Sequence, residues 1–170
     1  MTADPHAHCG YCGAAFPAGV GWPRDCVGCL RRSYRNPIPV AVLLVPVADG
    51  VLIVRRAIEP RLGWWALPGG FLEAGESWRV GAARELREET GITISPSALD
   101  VYEVHTTEDG RLLLLFCTPT GPGFRALPSL PAFAGTPEVT ALDVLRAPRE
   151  LAFPLHSEVS ARYLVGDATR

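Results

Sequence analysis

Residues 70–92, GFLEAGESWRVGAARELREETGI, contain the most informative pattern in this chain of 170 residues. The part from 77 to 90 predicts a helix whose apolar side is supplied by alanine and leucine. Ser77 is a suitable N-cap, because its hydroxyl can accept a hydrogen bond from an early backbone N–H. Gly91 stands where a residue in the left-handed conformation ends many helices. We therefore expect a capped helix over 77–90.

Three glutamates of this helix, Glu85, Glu88 and Glu89, share one face, because they span an arc of about 100°. A helix that needs only solubility usually interleaves cations on such a face. Mg²⁺ takes oxygen ligands and keeps waters that it shares with substrate phosphates. The pattern therefore indicates a magnesium site. The alternative interpretation, a solvated helix face, is the more common one for an isolated ELREE string.

The residues around the helix favour the metal interpretation. Pro68-Gly69-Gly70 provides flexible backbone whose carbonyl or amide can approach a metal or a phosphate. A loop that carries Glu76 follows. Arg84 lies one helical turn before Glu88, where it can hold that carboxylate or pair with Glu76.

Apolar runs on both sides of the helix predict a mixed α/β fold. The run IPVAVLLVPV over 38–47 turns at Asp49-Gly50 into VLIVRR, which predicts a hairpin. Further elements are expected as strands at 101–107, 111–118 and 138–144 and a last helix at 156–165. Five prolines in the segment 118–137 predict a long loop.

Residues 70–92 are spaced as in the Nudix box. Five residues separate Gly70 from Glu76, seven separate Glu76 from Arg84, and the last nine read RELREETGI. Every defined position of this pattern is filled. The preceding GWWALPGGF and the strand-turn-strand before it are also similar to this family. The chain therefore resembles Nudix hydrolases over residues 37–165.

This resemblance implies an α/β/α sandwich with a mixed sheet. It also implies hydrolysis, dependent on Mg²⁺ or Mn²⁺, of a nucleoside diphosphate linked to another moiety. The metal ligands that it implies are the Gly69 carbonyl, Glu85, Glu88 and Glu89, and its further catalytic residues are Arg84 and Glu76. The proton of the attacking water would go to one of the three helix glutamates or to a glutamate from a later loop, for which Glu138 is a candidate.

Four of the five cysteines lie in the first 29 residues as two pairs, Cys9-x2-Cys12 and Cys26-x2-Cys29, with 13 residues between the pairs. This spacing is typical of a tetrahedral Zn²⁺ site with four thiolates. The segment between the pairs is too short to form a core, so the metal would supply most of its folding free energy. We expect structural zinc, because four thiolates leave no position for a water. Disulfides are the alternative.

A zinc ribbon over 1–36 followed by a Nudix domain over 37–170 resembles the NADH pyrophosphatases and a related group acting on FAD or ADP-ribose. The Ser-Gln-Pro-Trp-Pro-Phe-Pro motif of the former is absent from 93–137. RRAIEPRLGWW and ELAFPLHSEV are closer to the latter. We therefore expect cleavage of the diphosphate linkage of FAD, ADP-ribose or an NADH-like compound. The alternatives are hydrolysis of nucleoside triphosphates and a non-catalytic nucleotide-sensing regulator.

Charge and hydropathy limit the partners. A formal net charge of −2 gives no footprint for a general nucleic-acid or membrane binder. No apolar run reaches the roughly 18 residues that span a bilayer, and no secretory signal precedes the cysteines. The expectation is a cytoplasmic protein that acts on a small nucleotide, with nucleic acid an unlikely partner and a homodimer compatible with the family resemblance.

The proline-rich loop over 118–137 follows a strand pair that lies near the substrate cleft in the fold implied by the resemblance. We expect the loop to shape the half of the pocket that does not hold the nucleotide, with contacts from Phe124, Arg125 and Phe133. The alternative is a mobile surface insertion.

Overall fold

The computed structural model describes residues 6–120 and 126–167. The chain divides into two compact units, the first ending at Pro37 and the second starting at Ile38. Within the first unit, two short antiparallel strands form a ribbon, β1 (Arg24–Asp25) and β2 (Arg32–Ser33). Arg32 donates two hydrogen bonds to the Asp25 carboxylate, both at 2.8 Å, and so ties the strands together across the solvent-exposed face.

The second unit contains two sheets of four strands each. Its strands are β3 (Ile38–Leu43), β4 (Pro46–Val47), β5 (Gly50–Arg56), β6 (Trp65–Ala66), β7 (Gly69–Phe71), β8 (Leu99–Thr106), β9 (Leu112–Pro119) and β10 (Val139–Leu145). The first sheet has the order β7-β3-β9-β8 and is mixed, because β3 and β9 run parallel while the other pairs are antiparallel. The second is antiparallel, with β5 paired to β10, β4 and β6.

The apolar run 38–47 is divided between the two sheets, which corrects the simple hairpin that the sequence predicts. Its first part, β3, pairs with β7 and β9, and only Pro46 and Val47 pair with β5. Alternate β3 side chains enter different clusters: Ala41 and Leu43 pack on one side and Val42 on the other. A strand buried on both faces has a nearly continuous apolar sequence, and this sequence does not reveal which partner lies beside it.

Two helices complete an α/β/α arrangement. α1 (Trp78–Thr90) inserts Ala82 and Leu86 into the first cluster, and α2 (Pro154–Asp167) inserts Val159 into the second. The predicted caps of α1 are confirmed: Ser77 Oγ accepts a hydrogen bond from the Val80 N–H, and Gly91 is left-handed with φ 75°. Among the described residues, no helix is long and apolar enough to cross a membrane.

The described part of the segment between β9 and β10, residues 126–138, contains no helix or strand, as predicted, and it packs onto the domain. Leu127 forms a parallel bridge with Val47 and, like Leu130, lies against the first core cluster. Phe133 packs beside Val54 and three other buried residues rather than into the large cavity described below. Phe124 and Arg125, the other two expected pocket contacts, lie outside the described residues.

Candidate active site and cysteine cluster

The two cysteine pairs meet in the first unit. The Sγ atoms of Cys9, Cys12, Cys26 and Cys29 all lie within 4.8 Å of one another, and none is in a disulfide. The Cys9–Cys29 and Cys12–Cys26 Sγ distances are 3.7 and 3.6 Å. Four thiolates bound tetrahedrally to Zn²⁺ at about 2.3 Å are separated by about 3.8 Å. The cluster therefore has the ligand chemistry and the dimensions of a zinc ribbon.

The backbone of the first pair supports a thiolate at Cys9. The Tyr11 N–H donates to Cys9 Sγ at 3.4 Å, and this bond is the largest of the effects that lower the pKa of Cys9 to about 6. A hydrogen bond from the backbone stabilises the thiolate, which is the form that binds metal. Gly28 packs close to the cluster, since a Cβ there would lie 3.3 Å from the Ala14 Cβ and in van der Waals contact with the Cys26 and Cys12 sulfurs.

Two glycines allow the end of β7 to approach both β3 and the acidic helix. Gly69 has φ 146°, and a Cβ there would collide with the Ala41 carbonyl of β3. A Cβ on Gly70 would lie 2.5 Å from the Glu85 carboxylate. Any side chain at either position would therefore displace the strand or the carboxylate. This packing explains physically why both positions are glycine.

Arg84 connects most of the predicted catalytic residues. Its guanidinium donates to both carboxylate oxygens of Glu76, at 3.2 and 2.8 Å, and to Glu85 at 2.7 Å and Glu88 at 3.2 Å. It also donates to the Phe71 carbonyl at 3.1 Å. These contacts raise the pKa of Arg84 and lower the pKa of Glu76, so both groups are charged. Arg84 thus neutralises part of the acidic face and fixes its side chains.

Glu89 lies apart from that network, in a more buried position. Only 7% of it is exposed, and one carboxylate oxygen accepts a hydrogen bond from the Gly69 N–H at 2.9 Å. Burial raises the pKa of Glu89 to about 8, and repulsion from Glu85 and Glu138 contributes to the shift. Burial also raises the pKa of Glu85. In both carboxyls the effect of burial exceeds the opposing effect of the nearby cations, Arg84 for Glu85 and Arg56 for Glu89.

The structure brings the predicted residues together unequally. Among the described residues, the cysteines form the only group of three or more His, Cys, Asp or Glu side chains whose donor atoms converge on one point. The helix glutamates share a face but do not converge in this way. Two of them are hydrogen-bonded to Arg84 and the third to Gly69. Glu138 is exposed, and it is close enough to raise the pKa of two of the glutamates.

A cavity of about 750 Å³ opens beside this face. Its lining includes Gly69, Gly70 and Phe71 from β7, Arg56 from the end of β5, and Phe153 and His156 at the start of α2. The walls are largely apolar. Sequence reasoning assigned no role to Arg56, Phe153 or His156, although the segment ELAFPLHSEV contains the last two. These three residues come together only in the folded chain, because residues distant in sequence line the same cavity.

A family model described as the NUDIX domain matches residues 36–142. The NAD-capped RNA hydrolase NudC of Citrobacter koseri is 33% identical over 90 residues, which cover 52% of this chain and 35% of that protein. Similar NudC proteins of Salmonella and Escherichia coli give the same coverage. The chain thus spans about a third of the length of these curated relatives.

Solved structures agree with this fold. A Nudix hydrolase from Nitrosomonas europaea superposes with a TM-score of 0.62 at 25% identity, over 95% of this chain and 92% of that one. A bifunctional NMN adenylyltransferase/ADP ribose pyrophosphatase from Francisella tularensis, solved with AMP and a Mn ion, gives 0.56 at 24% identity, over 79% and 41%. The latter shows likeness of fold alone. The filled box, the α/β/α architecture and the match over residues 36–142 together establish that this chain belongs to the Nudix family.

Proposed function

We propose that this protein is a pyrophosphohydrolase that uses Mg²⁺, or Mn²⁺, to cleave the diphosphate linkage of a nucleoside diphosphate derivative such as FAD, ADP-ribose or an NADH-like compound. In this proposal a zinc ribbon over residues 1–36 precedes a catalytic domain over 37–170. The zinc is structural, because the four thiolates occupy all four positions of a tetrahedral ion.

The observation that carries the proposal is the continuity between the cavity and the acidic helix face. Gly69 and Gly70 line the cavity, and the same residues contact Glu89 and Glu85 through a hydrogen bond and a close approach. A substrate whose apolar ring occupies the cavity would therefore extend its diphosphate toward the carboxylates. Arg56 also lines the cavity and supplies a positive charge for that diphosphate.

The donor set fits a hard divalent cation. The proposed ligands are the Gly69 carbonyl, Glu85, Glu88 and Glu89, all of which offer oxygen. Burial raises the pKa values of Glu85 and Glu89, and a divalent cation beside them would stabilise their charged forms. A bound Mg²⁺ supplies neutralisation of the diphosphate charge and a water of lowered pKa.

The chain's own residues then have separate tasks. Arg84, fixed by Glu76, orients Glu85 and Glu88. Gly81 lets Glu76 pack against the helix, because a Cβ there would lie 2.6 Å from its carboxylate. The proton of the attacking water would go to a glutamate of the helix or to Glu138, whose negative charge raises the pKa of both Glu85 and Glu89. The turnover rates of Glu138→Gln and Glu89→Gln at saturating Mg²⁺ distinguish these two candidate proton acceptors.

The test is hydrolysis of a substrate panel by the whole chain in Mg²⁺ and in Mn²⁺, with products separated by chromatography. The panel contains FAD, ADP-ribose, NADH and the nucleoside triphosphates. We expect cleavage to two monophosphates for at least one of the first three. Preference for triphosphates would support the alternative enzyme. Binding without turnover of any compound would support the regulator and contradict the proposal.

A capped RNA belongs in the same panel. The curated relatives are named for hydrolysis of NAD-capped RNA, and NAD contains the same diphosphate linkage as ADP-ribose. An RNA that carries NAD at its 5′ end should be compared with free NADH at equal concentration. Faster cleavage of the capped RNA would contradict the expectation that nucleic acid is an unlikely partner.

The homodimer stays a prediction, which a measurement of the molecular mass in solution checks.

A further inference from the structure

His156 is a buried polar residue that the proposed chemistry does not use. It is the third residue of α2, is 6% exposed, and lines the cavity. Its ring contacts Phe116 and Phe153 edge to face, with ring centroids 5.8 and 5.0 Å apart. A histidine held between aromatic rings in an apolar wall keeps one orientation. The ring nitrogens therefore have fixed positions relative to the cavity.

The backbone determines which nitrogen carries the proton. The Leu67 N–H donates to Nδ1 of His156 at 3.2 Å, so Nδ1 holds a lone pair and the proton is on Nε2. Within residues 6–120 and 126–167, Nε2 has no hydrogen-bond partner. In those residues, Ser33 Oγ is the single fully buried side-chain nitrogen or oxygen that lacks a partner. His156 Nε2 also lacks a partner there, so it is not fully buried and keeps some accessible surface. The space beside His156 is the cavity.

We propose that His156 Nε2–H donates a hydrogen bond to a neutral acceptor atom on the ring moiety of the substrate, either its nucleobase or a second ring such as flavin or nicotinamide. This inference rests on the proposed function, because it assumes that a nucleotide derivative occupies the cavity. It adds a specificity-determining residue to that function. An imidazole that accepts from Leu67 is uncharged, and an uncharged donor in an apolar wall suits a ring carbonyl or ring nitrogen better than a phosphate.

The electrostatic surroundings agree with this geometry. Burial lowers the pKa of His156 to about 3, and the positive charge of Arg56 contributes to the shift. The ring therefore stays neutral at physiological pH and keeps Nε2–H as its donor. The two groups divide the recognition of the substrate: Arg56 supplies charge for the diphosphate and His156 supplies a neutral hydrogen bond for the ring.

Two substitutions separate the two nitrogens. In His156→Asn, the side-chain oxygen can take the place of Nδ1 and accept from Leu67, while the donor at the cavity is lost. In His156→Gln, the longer amide can reach the place of Nε2 and keep a donor, while the bond from Leu67 is lost. We expect the Asn variant to fold with near-normal thermal stability and the Gln variant to be less stable.

The test is calorimetric titration in Mg²⁺ buffer with AMP, FMN, nicotinamide mononucleotide and ribose 5-phosphate. None of the four contains a diphosphate bond, so binding is measured without turnover. His156→Asn should weaken binding of one or more of the three mononucleotides roughly threefold to tenfold, the effect of one neutral hydrogen bond. Ribose 5-phosphate, which lacks a ring base, should be unaffected. His156→Gln should retain most of the affinity that His156→Asn loses.

The panel also identifies the ring. Weakening of AMP alone assigns the donor to adenine, and weakening of FMN or nicotinamide mononucleotide assigns it to the second ring. An equal loss for ribose 5-phosphate, no loss for any compound, or no binding of any mononucleotide to the unmodified protein would each overturn the inference. Its failure is distinct from failure of the proposed function, which is measured separately as hydrolysis of the diphosphate panel.

Discussion

The cysteine cluster of the first unit and the acidic face of α1 both gather anionic ligands, but they hold them differently. The four sulfurs converge within 4.8 Å. The glutamates are instead hydrogen-bonded to neighbours, Glu85 and Glu88 to Arg84 and Glu89 to the Gly69 N–H. A converged, saturated ligand set suits a permanent structural ion, whereas carboxylates with alternative partners suit an ion that enters and leaves with substrate phosphates.

Ligand type and secondary contacts therefore together determine the role that a metal would have at each site. Soft thiolates in a segment without a core make folding depend on the ion. Hard carboxylates on a helix that is already packed against the sheets through Ala82 and Leu86 make folding independent of it. The ribbon should therefore lose structure with its ion, and the acidic face should lose only activity.

The largest effect is expected in the ribbon. Cys26→Ser removes one of four thiolates and should abolish binding of the one Zn²⁺ that we propose, since zinc binding supplies about 10 kcal/mol of folding free energy in such modules. Metal analysis of protein purified without added zinc measures the stoichiometry. Cys117→Ala is the matched control, because Cys117 is buried in the other unit, and it should retain one zinc per chain. Zinc-free, folded protein with four reduced thiols would refute a structural zinc site.

On the acidic face, Glu89→Gln keeps the shape of the side chain but removes a ligand charge. Turnover should fall by about two to three orders of magnitude, while the melting temperature stays close to that of the unmodified chain. Glu150→Gln, at an exposed glutamate outside the large cavity, is the control and should retain full activity. Near-complete activity of Glu89→Gln at saturating Mg²⁺ would contradict the proposed metal ligands.

The contribution of the arginine network is smaller. Arg84→Ala releases Glu76, Glu85 and Glu88 together, and loss of such a positioning group usually costs about tenfold to a hundredfold in activity. The apparent affinity for Mg²⁺ should fall in parallel, as measured by activity against metal concentration. Arg87→Ala is the control on the same helix. Arg87 is exposed, and its guanidinium nitrogen lies 3.8 Å from a Glu88 carboxylate oxygen, which is too far for a hydrogen bond. Equal effects of the two variants would mean that net charge, rather than positioning, matters.

Acid should affect the two units through different groups. The pKa of His156 is about 3 in the folded chain against 6.5 in an unfolded one, so the unfolded state binds the proton first as pH falls. The contribution of His156 to the stability of the second unit should therefore decrease below pH 6.5, by about 2 kcal/mol at pH 5, whereas the raised pKa of Glu89 acts in the opposite direction over this range. Denaturant unfolding of the unmodified chain and of His156→Asn, each at pH 7 and pH 5, measures the His156 contribution as the difference between the two chains. Zinc release from the cysteines at acid pH should be the same in both.

The smallest effect concerns the cavity wall. Arg56→Ala should raise KM for the diphosphate substrate about tenfold with little change in kcat, because the charge contacts the substrate in both ground and transition states. Arg55→Ala is the control: Arg55 is exposed, bonds the Gly63 carbonyl, and does not line the cavity. If KM is unchanged in both variants, the substrate diphosphate does not contact Arg56.

Much of the fold and of the site could be predicted because it depends on local sequence. The helix with its caps at Ser77 and Gly91 needs only near neighbours, and the cysteine spacing encodes two knuckles. The strands expected at 101–107 and 111–118 are similarly local, and they form the hairpin of β8 and β9 with bounds that differ by at most two residues. Helical periodicity alone predicts that the glutamates of the Nudix box share one face of α1.

Local sequence patterns thus predict the ligand types, the helix that carries the glutamates and the family. Packing between elements, by contrast, divides the run 38–47 between two sheets, places Phe133 against Val54, and brings Arg56 and His156 to the same cavity. Arg56 and His156 are 100 positions apart in the chain. Periodicity describes which face a residue occupies on its own element. The partner of that face is determined by packing between elements, which no local pattern records.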